Sequence, residues 1–375
     1  MISLGPMLDS ILRDLHIPVS NGGIISVGFA LGQLLGILLL NFFLARVPVR
    51  WSIAVATWVQ AIALLCSAVI SRGLWSLVGT YVFVGLGSVF LLTIPGIVVG
   101  SNVKKGAARA ILQLLIAYAI GMMLTPVAIG VILGAGASWR WVLAGEAGLS
   151  LMLAVLLTLL PLPDVRGREN LRVRQVKEVI GFHPRLFATM AIAAFIYVGA
   201  EFILDVWLAK FETDTLGAGK AWAGAVVAIF WVGIVAGRFI VQPLTSKFPI
   251  SRILLVGTTA MAVFTVGIAV SRSLVLTDIL VFFAGLGAAA STPLILSYSA
   301  RFPKWHAGVV FSAVMFLAGL GVLIFPYVVG PLVAATNFRV AIGLSALLAV
   351  GVAISTRYLH RAENEPLNDG AEAAA

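Results

Sequence analysis

The stretch GLGSVFLLTIP, residues 85–95, returns in altered form as GLGAAASTP at residues 285–293, an offset of 200 residues. Other segments repeat in the same order at nearly the same offset. They are GQLLG (32–36) with GIVAG (233–237), ARVPVR (45–50) with SKFPISR (246–252), GMMLTP (121–126) with GVLIFP (321–326), and SWRWV (138–142) with NFRVA (337–341). Because these pairs keep their order over most of the chain, the sequence predicts two homologous halves.

The composition indicates a membrane protein. Of the 375 residues, 61% are hydrophobic and 11% are charged, whereas roughly 25% of the residues in a soluble domain are charged. Apolar runs recur at about 20 residues, the length that crosses the bilayer as a helix, and the short alternating strands of a membrane barrel are not the pattern here. We predict an all-α protein with eleven spans and an apolar stub at 1–12. The spans are predicted at 22–45, 52–71, 75–100, 108–134, 139–161, 186–209, 221–244, 251–270, 275–298, 307–332 and 338–358.

The net charge of +10 reflects membrane topology. When alternate loops are assigned to one side, that side collects 18 of the 25 Lys and Arg residues and the other side keeps seven. This bias is the positive-inside pattern, so the basic side and the C-terminus are predicted to be cytoplasmic. The basic charge therefore does not predict a nucleic-acid partner.

The longest polar segment lies between the two halves. We predict an N-terminal transmembrane half at 1–162, a cytoplasmic linker at 163–185, a C-terminal transmembrane half at 186–360 and a polar cytoplasmic tail at 361–375. The repeat offset pairs residue 1 with residue 201, so the counterpart of the span at 186–209 would begin about 15 residues before Met1. We therefore expect a first helix that is truncated, or a start codon assigned too late. The alternative is a natural eleven-helix chain with its N-terminus outside.

The sequence favours neither catalysis nor a cofactor. The single cysteine, Cys66, excludes a disulfide framework, and the four histidines have no spacing typical of metal ligands. The Gly-Lys pair at residues 219 and 220 lacks the rest of a phosphate-binding loop. We predict no enzyme activity, no catalytic residues, no cofactor and no metal.

Several of the repeated motifs resemble those of the major facilitator transporters. GMMLTP is similar to the family's Gly-rich, Pro-terminated signature of helix 5, and SWRWV to the Trp-Arg pair that commonly opens helix 6. The segment ARVPVR lacks the Asp usual between helices 2 and 3. The resemblance implies two six-helix halves around a midplane site. The residues to which it assigns conformational or packing roles are Gly121, Pro126, Gly321, Pro326, Arg140 and Arg238.

Three polar residues follow one face of the span predicted at 186–209. Tyr197, Glu201 and Asp205 are four residues apart, which is about one helical turn. An ionised carboxylate near mid-membrane costs about 3 kcal/mol against lipid, so this stripe should face a cavity or a partner. Glu201 is either a proton carrier or a structural residue hydrogen-bonded to another helix. Asp205 either lines the same pathway or belongs to a solvated helix end.

The stretch YVGAEFILDVWL and the Gly-Arg pair at 237 and 238 also resemble the fucose permease-like branch of the family. The helix 4 framework of that branch carries a Glu and an Asn where this chain has Phe90 and Ile94. The resemblance therefore implies the fold and the branch, and it does not imply fucose as the substrate.

Other residues within the spans are candidates for the substrate pathway. Trp207 and Trp222 are predicted to lie at the outer interface, where aromatic belts are expected. The further pathway candidates are Phe90, Gln33, Gln113, Tyr298 and Trp231.

The leading functional hypothesis is a monomeric secondary transporter in a bacterial inner membrane. It would move a small organic molecule by alternating access, with protons as candidate coupling ions, and uptake of a polar nutrient competes with export of a less polar compound. A non-transporting receptor or assembly factor on the same scaffold is the alternative. A membrane-embedded enzyme would require Glu201 and Asp205 as its catalytic pair.

Overall fold

A computed structural model describes residues 2–102, 107–160, 181–302 and 304–364, and in these ranges the chain is helical with no strand. The predicted linker at 163–185 and tail at 361–375 lie largely outside the described residues. The helices are α1 Leu4–Asp14, α2 Gly23–Arg46, α3 Val49–Ile70, α4 Leu74–Asn102, α5 Ala107–Gly134, α6 Trp139–Leu159, α7 Pro184–Leu216, α8 Lys220–Leu244, α9 Ile250–Val270, α10 Leu274–Ala288, α11 Ser291–Ser297, α12 Lys304–Ala335 and α13 Phe338–Asn364. Short 3-10 turns cover Val19–Asn21 and Tyr298–Arg301.

Eleven segments of the described chain are long and apolar enough to cross a membrane, which confirms the predicted number of spans. Two spans differ from the prediction. Helix α7 continues to Leu216, seven residues past the expected end at 209. The span expected at 275–298 is interrupted after Ala288 and resumes at Ser291. Helix α1 has 11 residues and is not among the candidate spans.

The repeated glycines make the same contact in both halves of the sequence. A Cβ atom at Gly32 of α2 would overlap the carbonyl oxygen of Val82 in α4, and one at Gly233 of α8 would overlap that of Phe282 in α10. Glycine at these crossings allows two helix backbones to approach closely, as is common where membrane helices pack. The motif pairs therefore repeat because they form equivalent helix crossings.

The helices form two compact units, and three helices contribute to both. The first unit comprises Met1–Asn170, Asp205–Ala228 and Pro326–Asn337, and the second comprises Leu171–Leu204, Ile229–Phe325 and Phe338–Ala375. The C-terminal part of α7, the N-terminal part of α8 and the C-terminal part of α12 thus belong with α1 to α6. These two units are defined by contacts between helices and not by the sequence repeat. They therefore do not test the halves predicted at 1–162 and 186–360, which remain a prediction.

Within the first unit, the end of α7 lies against α1 at equivalent positions of the repeat. A Cβ atom at Gly5 would overlap the carbonyl oxygen of Asp205, and residues 5 and 205 are 200 positions apart. This contact therefore joins positions that are equivalent in the sequence repeat.

Two further contacts of the first unit involve equivalent positions of the sequence repeat. A Cβ atom at Gly23 of α2 would overlap the carbonyl oxygen of Pro326 in α12, and one at Gly224 of α8 would lie 2.7 Å from that of Pro126 in α5. Positions 126 and 326 are 200 apart and positions 23 and 224 are 201 apart. Both prolines of the GMMLTP and GVLIFP motifs therefore lie at a close helix crossing.

Candidate functional site

The polar stripe of α7 lies in a single unbroken helix of 33 residues, Pro184–Leu216. Glu201 is near its middle, 17 residues after Pro184 and 15 before Leu216. Tyr197 and Glu201 belong to the second compact unit, whereas Asp205 belongs to the first. The stripe therefore extends from one compact unit into the other along one helix.

Glu201 has polar partners on its own helix and on α8. The hydroxyl of Tyr197 is hydrogen-bonded to its carboxyl group, and the positive charge of Arg238 acts on it from α8. The sequence does not predict this cation as a partner of Glu201, because Arg238 lies near the end of an apolar helix and the packing of α7 against α8 is a tertiary contact. Both readings of Glu201, proton carrier and structural residue, remain predictions.

The interrupted helix lies beside these groups. The Tyr197 hydroxyl donates a hydrogen bond to the carbonyl oxygen of Ala288 at 2.8 Å, and Arg238 Nε donates one to the carbonyl oxygen of Ala289 at 3.2 Å. Both carbonyls lie where α10 ends. We call Tyr197, Glu201, Arg238 and the carbonyls of Ala288 and Ala289 the Glu201 cluster.

Two further helices contact α7 next to Glu201 through uncharged groups. Ser345 of α13 donates its hydroxyl to the carbonyl oxygen of Ala200 at 2.8 Å. The ring of Phe325 in α12 lies where a Cβ atom at Gly199 would be, and it also packs on Phe195 with ring centroids 5.1 Å apart. These contacts fix α7 on the side of α12 and α13.

Residues 205–212 of α7 are buried in the first unit, so Asp205 does not lie at a solvated helix end. Asp205 is 1% exposed, Lys210 is 4% exposed and Glu212 is fully buried. Lys210 Nζ forms ion pairs with Asp9 Oδ1 at 2.8 Å and with Asp214 Oδ2 at 2.9 Å. The extension of the helix past residue 209 carries these charges into contact with α1.

Asp9 lies in α1, outside the candidate membrane spans. Burial by itself raises the pKa of the Asp9 carboxyl group. The hydrogen bond and charge of Lys210, together with Arg13, outweigh burial and lower that pKa below its usual value. The Asp9 carboxyl group is therefore ionised at neutral pH.

Of the two tryptophans predicted for the interface belt, Trp207 is buried and only Trp222 is exposed. Trp207 has no exposed surface, and its Nε1 donates a hydrogen bond to the carbonyl oxygen of Pro326 at 3.0 Å. Trp222 is 49% exposed. Trp231 and Tyr298, both proposed as pathway residues, are buried in the second unit at 4% and 2% exposure.

The pathway candidates of the first unit differ in their surroundings. Phe90 is buried in an apolar cluster with Ile94 of its own helix and with residues of α2 and α3. Gln33 is half-buried, and Gln113 is exposed. Among the glycines assigned packing roles, Gly321 is in tight contact with Phe195 of α7, whereas Gly121 has open space beside it.

Arg140 and Arg339 perform the same local role in the two units. Arg140 donates to the carbonyl oxygens of Ala68 at 3.0 Å and Ser71 at 2.8 Å, and it also contacts Asp14 at 3.3 Å. Arg339 donates to the carbonyl oxygens of Ala269 at 2.8 Å and Ser271 at 2.5 Å. Each arginine binds carbonyls that a helix end leaves without partners, at the end of α3 and of α9.

The described part of the chain holds no group of three or more His, Cys, Asp or Glu side chains arranged to bind a metal.

The sequence pattern of the Major Facilitator Superfamily matches residues 1–301 and 190–374, and the two matches include both members of every repeated motif pair. The chain belongs to the Major Facilitator Superfamily. It is a multi-pass membrane protein, and the members of this family are transporters and not enzymes.

A relative by sequence is the glucose/galactose transporter of Brucella abortus, 36% identical over 91 residues. The match covers 24% of this chain, and the chain spans only 22% of the relative's length. It therefore relates a segment of the two proteins and not the whole of either.

Solved structures match the whole chain at low identity. A bacterial homologue of the human lysosomal transporter Spinster, in an inward-facing and unoccupied conformation, has a TM-score of 0.80 at 15% identity, with 96% of this chain and 94% of that one covered. The E. coli fucose:proton symporter has a TM-score of 0.59 at 16% identity, with 95% and 96% covered. These likenesses confirm the major facilitator fold.

Proposed function

We propose that the chain is a secondary transporter that moves a small organic molecule across the membrane by alternating access. The Glu201 cluster carries the proposal. It joins a carboxyl group in the middle of a long apolar helix to the interruption between α10 and α11, in a member of a transporter family. A polar group so deep in an apolar helix is costly, which favours a role in moving substrate or ions.

Proton coupling through Glu201 is part of the proposal. The carboxyl group has a hydroxyl partner and a nearby cation, so both its neutral and its ionised form can be stabilised locally. A group that is stable in two charge states can take up a proton on one side and release it on the other. The E. coli fucose:proton symporter, which shares the fold, couples transport to protons according to its name.

The substrate class is proposed from two positions of helix 4. In the fucose permease-like branch, which we propose for this chain, helix 4 carries a carboxylate and an amide where this chain has Phe90 and Ile94 in an apolar cluster. Neither of these two side chains can hydrogen-bond a heavily hydroxylated ligand. We therefore propose a neutral, moderately apolar substrate. A sugar is the second candidate, favoured by the likeness to the glucose/galactose transporter.

The orientation is proposed from the distribution of basic residues. With 18 of the 25 Lys and Arg residues on one side, the linker and the C-terminus are cytoplasmic and the end of α7 is on the outer side. The membrane is proposed to be a bacterial inner membrane, the protein a monomer, and nucleic acid no partner. The divisions at 1–162, 163–185, 186–360 and 361–375 belong to the same proposal.

A substrate screen in proteoliposomes under an imposed pH gradient tests the function. Neutral sugars, nucleosides and moderately apolar amphiphiles are offered to vesicles with the purified chain and to empty vesicles. We expect one class to accumulate with the gradient, and we expect Glu201→Gln to transport it without dependence on pH. A receptor or assembly factor on the same scaffold would bind a ligand and accumulate nothing.

A further inference from the structure

The interruption between α10 and α11 leaves two backbone carbonyls without helical partners. Helix α10 ends at Ala288, α11 begins at Ser291, and Leu294 N bonds to the carbonyl oxygen of Ala290 at 2.9 Å. In a continuous helix, the carbonyl of Ala289 would accept from residue 293, but Pro293 has no N–H group. Buried carbonyls need a donor from elsewhere.

Two side chains supply these donors. Tyr197 donates to Ala288 at 2.8 Å, and Arg238 donates to Ala289 at 3.2 Å. The first half offers a comparison, because α4 runs unbroken from Leu74 to Asn102 through Pro95. The position equivalent to Arg238, directly after the repeated glycine motif, is Ile37, which has no donor group. The helix is thus interrupted in the half of the sequence that has Arg238 and is continuous in the half that has Ile37.

The Tyr197 hydroxyl faces two acceptors when Glu201 is ionised. A phenol has one proton to donate. It is hydrogen-bonded both to the carbonyl oxygen of Ala288 and to the carboxyl group of Glu201. If Glu201 is protonated, its O–H donates to the tyrosine oxygen and the tyrosine donates to Ala288, so every group is satisfied. If Glu201 is ionised, the carboxylate competes for the single phenol proton.

We propose that Tyr197 is a positioning residue that caps the interrupted helix only while Glu201 is protonated. Loss of the Glu201 proton to water draws the hydroxyl toward the carboxylate, because a hydrogen bond to an ionised acceptor is the stronger one. The carbonyl of Ala288 is then released, and the junction of α10 and α11 loosens. The idea rests on the proposed function in one respect, that Glu201 changes protonation state during transport.

The charged groups around Glu201 favour this competition. On α7 itself, Asp205 follows one turn later, and on α8 the guanidinium group of Arg238 faces the carboxyl group. The contacts from α12 and α13 are the uncharged Phe325 and Ser345. Arg238 has more N–H donors than the one that binds the carbonyl oxygen of Ala289. An ionised Glu201 therefore attracts the Arg238 side chain, the second donor at the junction, as well as the Tyr197 hydroxyl.

Hydrogen–deuterium exchange of the purified protein in detergent tests the proposal without transport. Peptides covering residues 284–297 report on the junction, and peptides covering residues 84–96 of the unbroken α4 correct for the chemical dependence of exchange on pH. Between about pH 5 and pH 9, we expect the corrected exchange at the junction to rise by about fivefold to tenfold, as for the loss of one buried hydrogen bond.

Two variants assign the effect to the proposed groups. In Tyr197→Phe, the cap is absent, so exchange at the junction is high at every pH. In Glu201→Gln, the amide donates to the tyrosine oxygen as a protonated carboxyl group would, so exchange is low at every pH. Tyr358→Phe is the matched control, because Tyr358 is in the same unit and 59% exposed, and it should behave as the unmodified chain.

The outcomes separate this proposal from the proposed function. A Tyr197→Phe protein with the exchange and pH dependence of the unmodified chain would overturn the cap. If Tyr197→Phe does not fold, a Glu201→Gln protein that keeps the pH dependence overturns it alone. A chain that transports nothing in the vesicle screen but shows the expected exchange pattern would retain the cap and reject the transport function.

Discussion

Lys210 and Asp9 form an ion pair although 201 residues separate them, with Lys210 Nζ 2.8 Å from Asp9 Oδ1. Their side chains are 5% and 11% exposed, and the contact joins α1 to the C-terminal part of α7, as does the close approach of Gly5 to Asp205. In the proposed orientation, both residues lie on the outer side. We therefore expect the ion pair to close this side by holding α7 against α1.

Removal of the lysine should weaken this closure. Lys210→Met keeps most of the side-chain volume but leaves the largely buried Asp9 with only the exposed Arg13 as a cation, a change that costs about 3 kcal/mol. We expect a lower melting temperature in detergent and faster reaction of a cysteine placed at Ala223, in a Cys66→Ala background, with an impermeant thiol reagent. Lys220→Met is the control, because Lys220 is exposed. Equal behaviour of the two variants would show that the ion pair contributes nothing to closure.

The same ion pair should not respond to pH in the neutral range. The pKa of Asp9 is lowered in the folded protein. Such a group contributes stability that is fully present above its unfolded pKa of about 4 and is lost as the pH falls through the folded value. The difference in melting temperature between the unmodified chain and Asp9→Asn should be constant from about pH 5.5 to pH 8 and shrink below about pH 4. A difference that vanishes near neutral pH would contradict this sign.

The proposed orientation predicts opposite labelling of two loops. Arg172→Cys lies in the predicted cytoplasmic linker, outside the described residues, and Gly219→Cys lies in the exposed turn between α7 and α8. Gly219 has open space beside it and no positive φ, so a side chain fits. In whole cells of a Cys66→Ala background, an impermeant thiol reagent should label the cysteine at 219 and reach the one at 172 only after lysis. Labelling of both cysteines in intact cells would contradict the proposed orientation.

The repeat made much of the fold predictable, because glycines at helix crossings and arginines at helix ends are local motifs with fixed geometry. Gly32 and Gly233 illustrate the first, and Arg140 and Arg339 the second. The partners of Glu201 were harder to predict from the sequence. Arg238 reaches it only through the packing of α7 on α8, which no local pattern encodes. The interruption after Ala288 was also not predictable from the motif. A proline follows the same motif in α4, and that helix is continuous.

The two repeated arginines should be equally important for stability. Each donates to two carbonyl oxygens at the end of a helix, and lysine offers no planar fork to reach both. We expect Arg140→Lys and Arg339→Lys each to lower the free energy of unfolding by about 1 to 3 kcal/mol, the cost of an unsatisfied buried carbonyl. The double variant should lose the sum, because the two sites share no partner. Thermal melting in detergent measures all three, with the exposed Arg72→Lys as the control.

The repeat-equivalent glycines Gly121 and Gly321 should differ in their tolerance of a side chain. A Cβ atom at Gly321 would overlap the carbonyl oxygen of Phe195 and lie 3.2 Å from Gly199 N, whereas one at Gly121 meets nothing within 4 Å. Overpacking a close helix crossing costs about 1 to 3 kcal/mol, and alanine in an open helical position gains up to about 1 kcal/mol over glycine. Gly321→Ala should therefore lower the melting temperature, and Gly121→Ala should leave it unchanged or raise it.

This pair tests the structure against the sequence, because the repeat alone predicts the same result for both glycines. Each glycine begins the same Gly-x-x-x-x-Pro motif, and both prolines lie at close helix crossings. Only the surroundings of the glycines differ, since Gly321 packs on α7 within the second unit. If both alanine variants melt at the same temperature, the contact between α12 and α7 is looser than described, and the position of Phe325 beside Gly199 and Glu201 would need revision. If only Gly321→Ala is destabilised, the close packing that fixes α7 next to the Glu201 cluster is supported independently of any transport measurement.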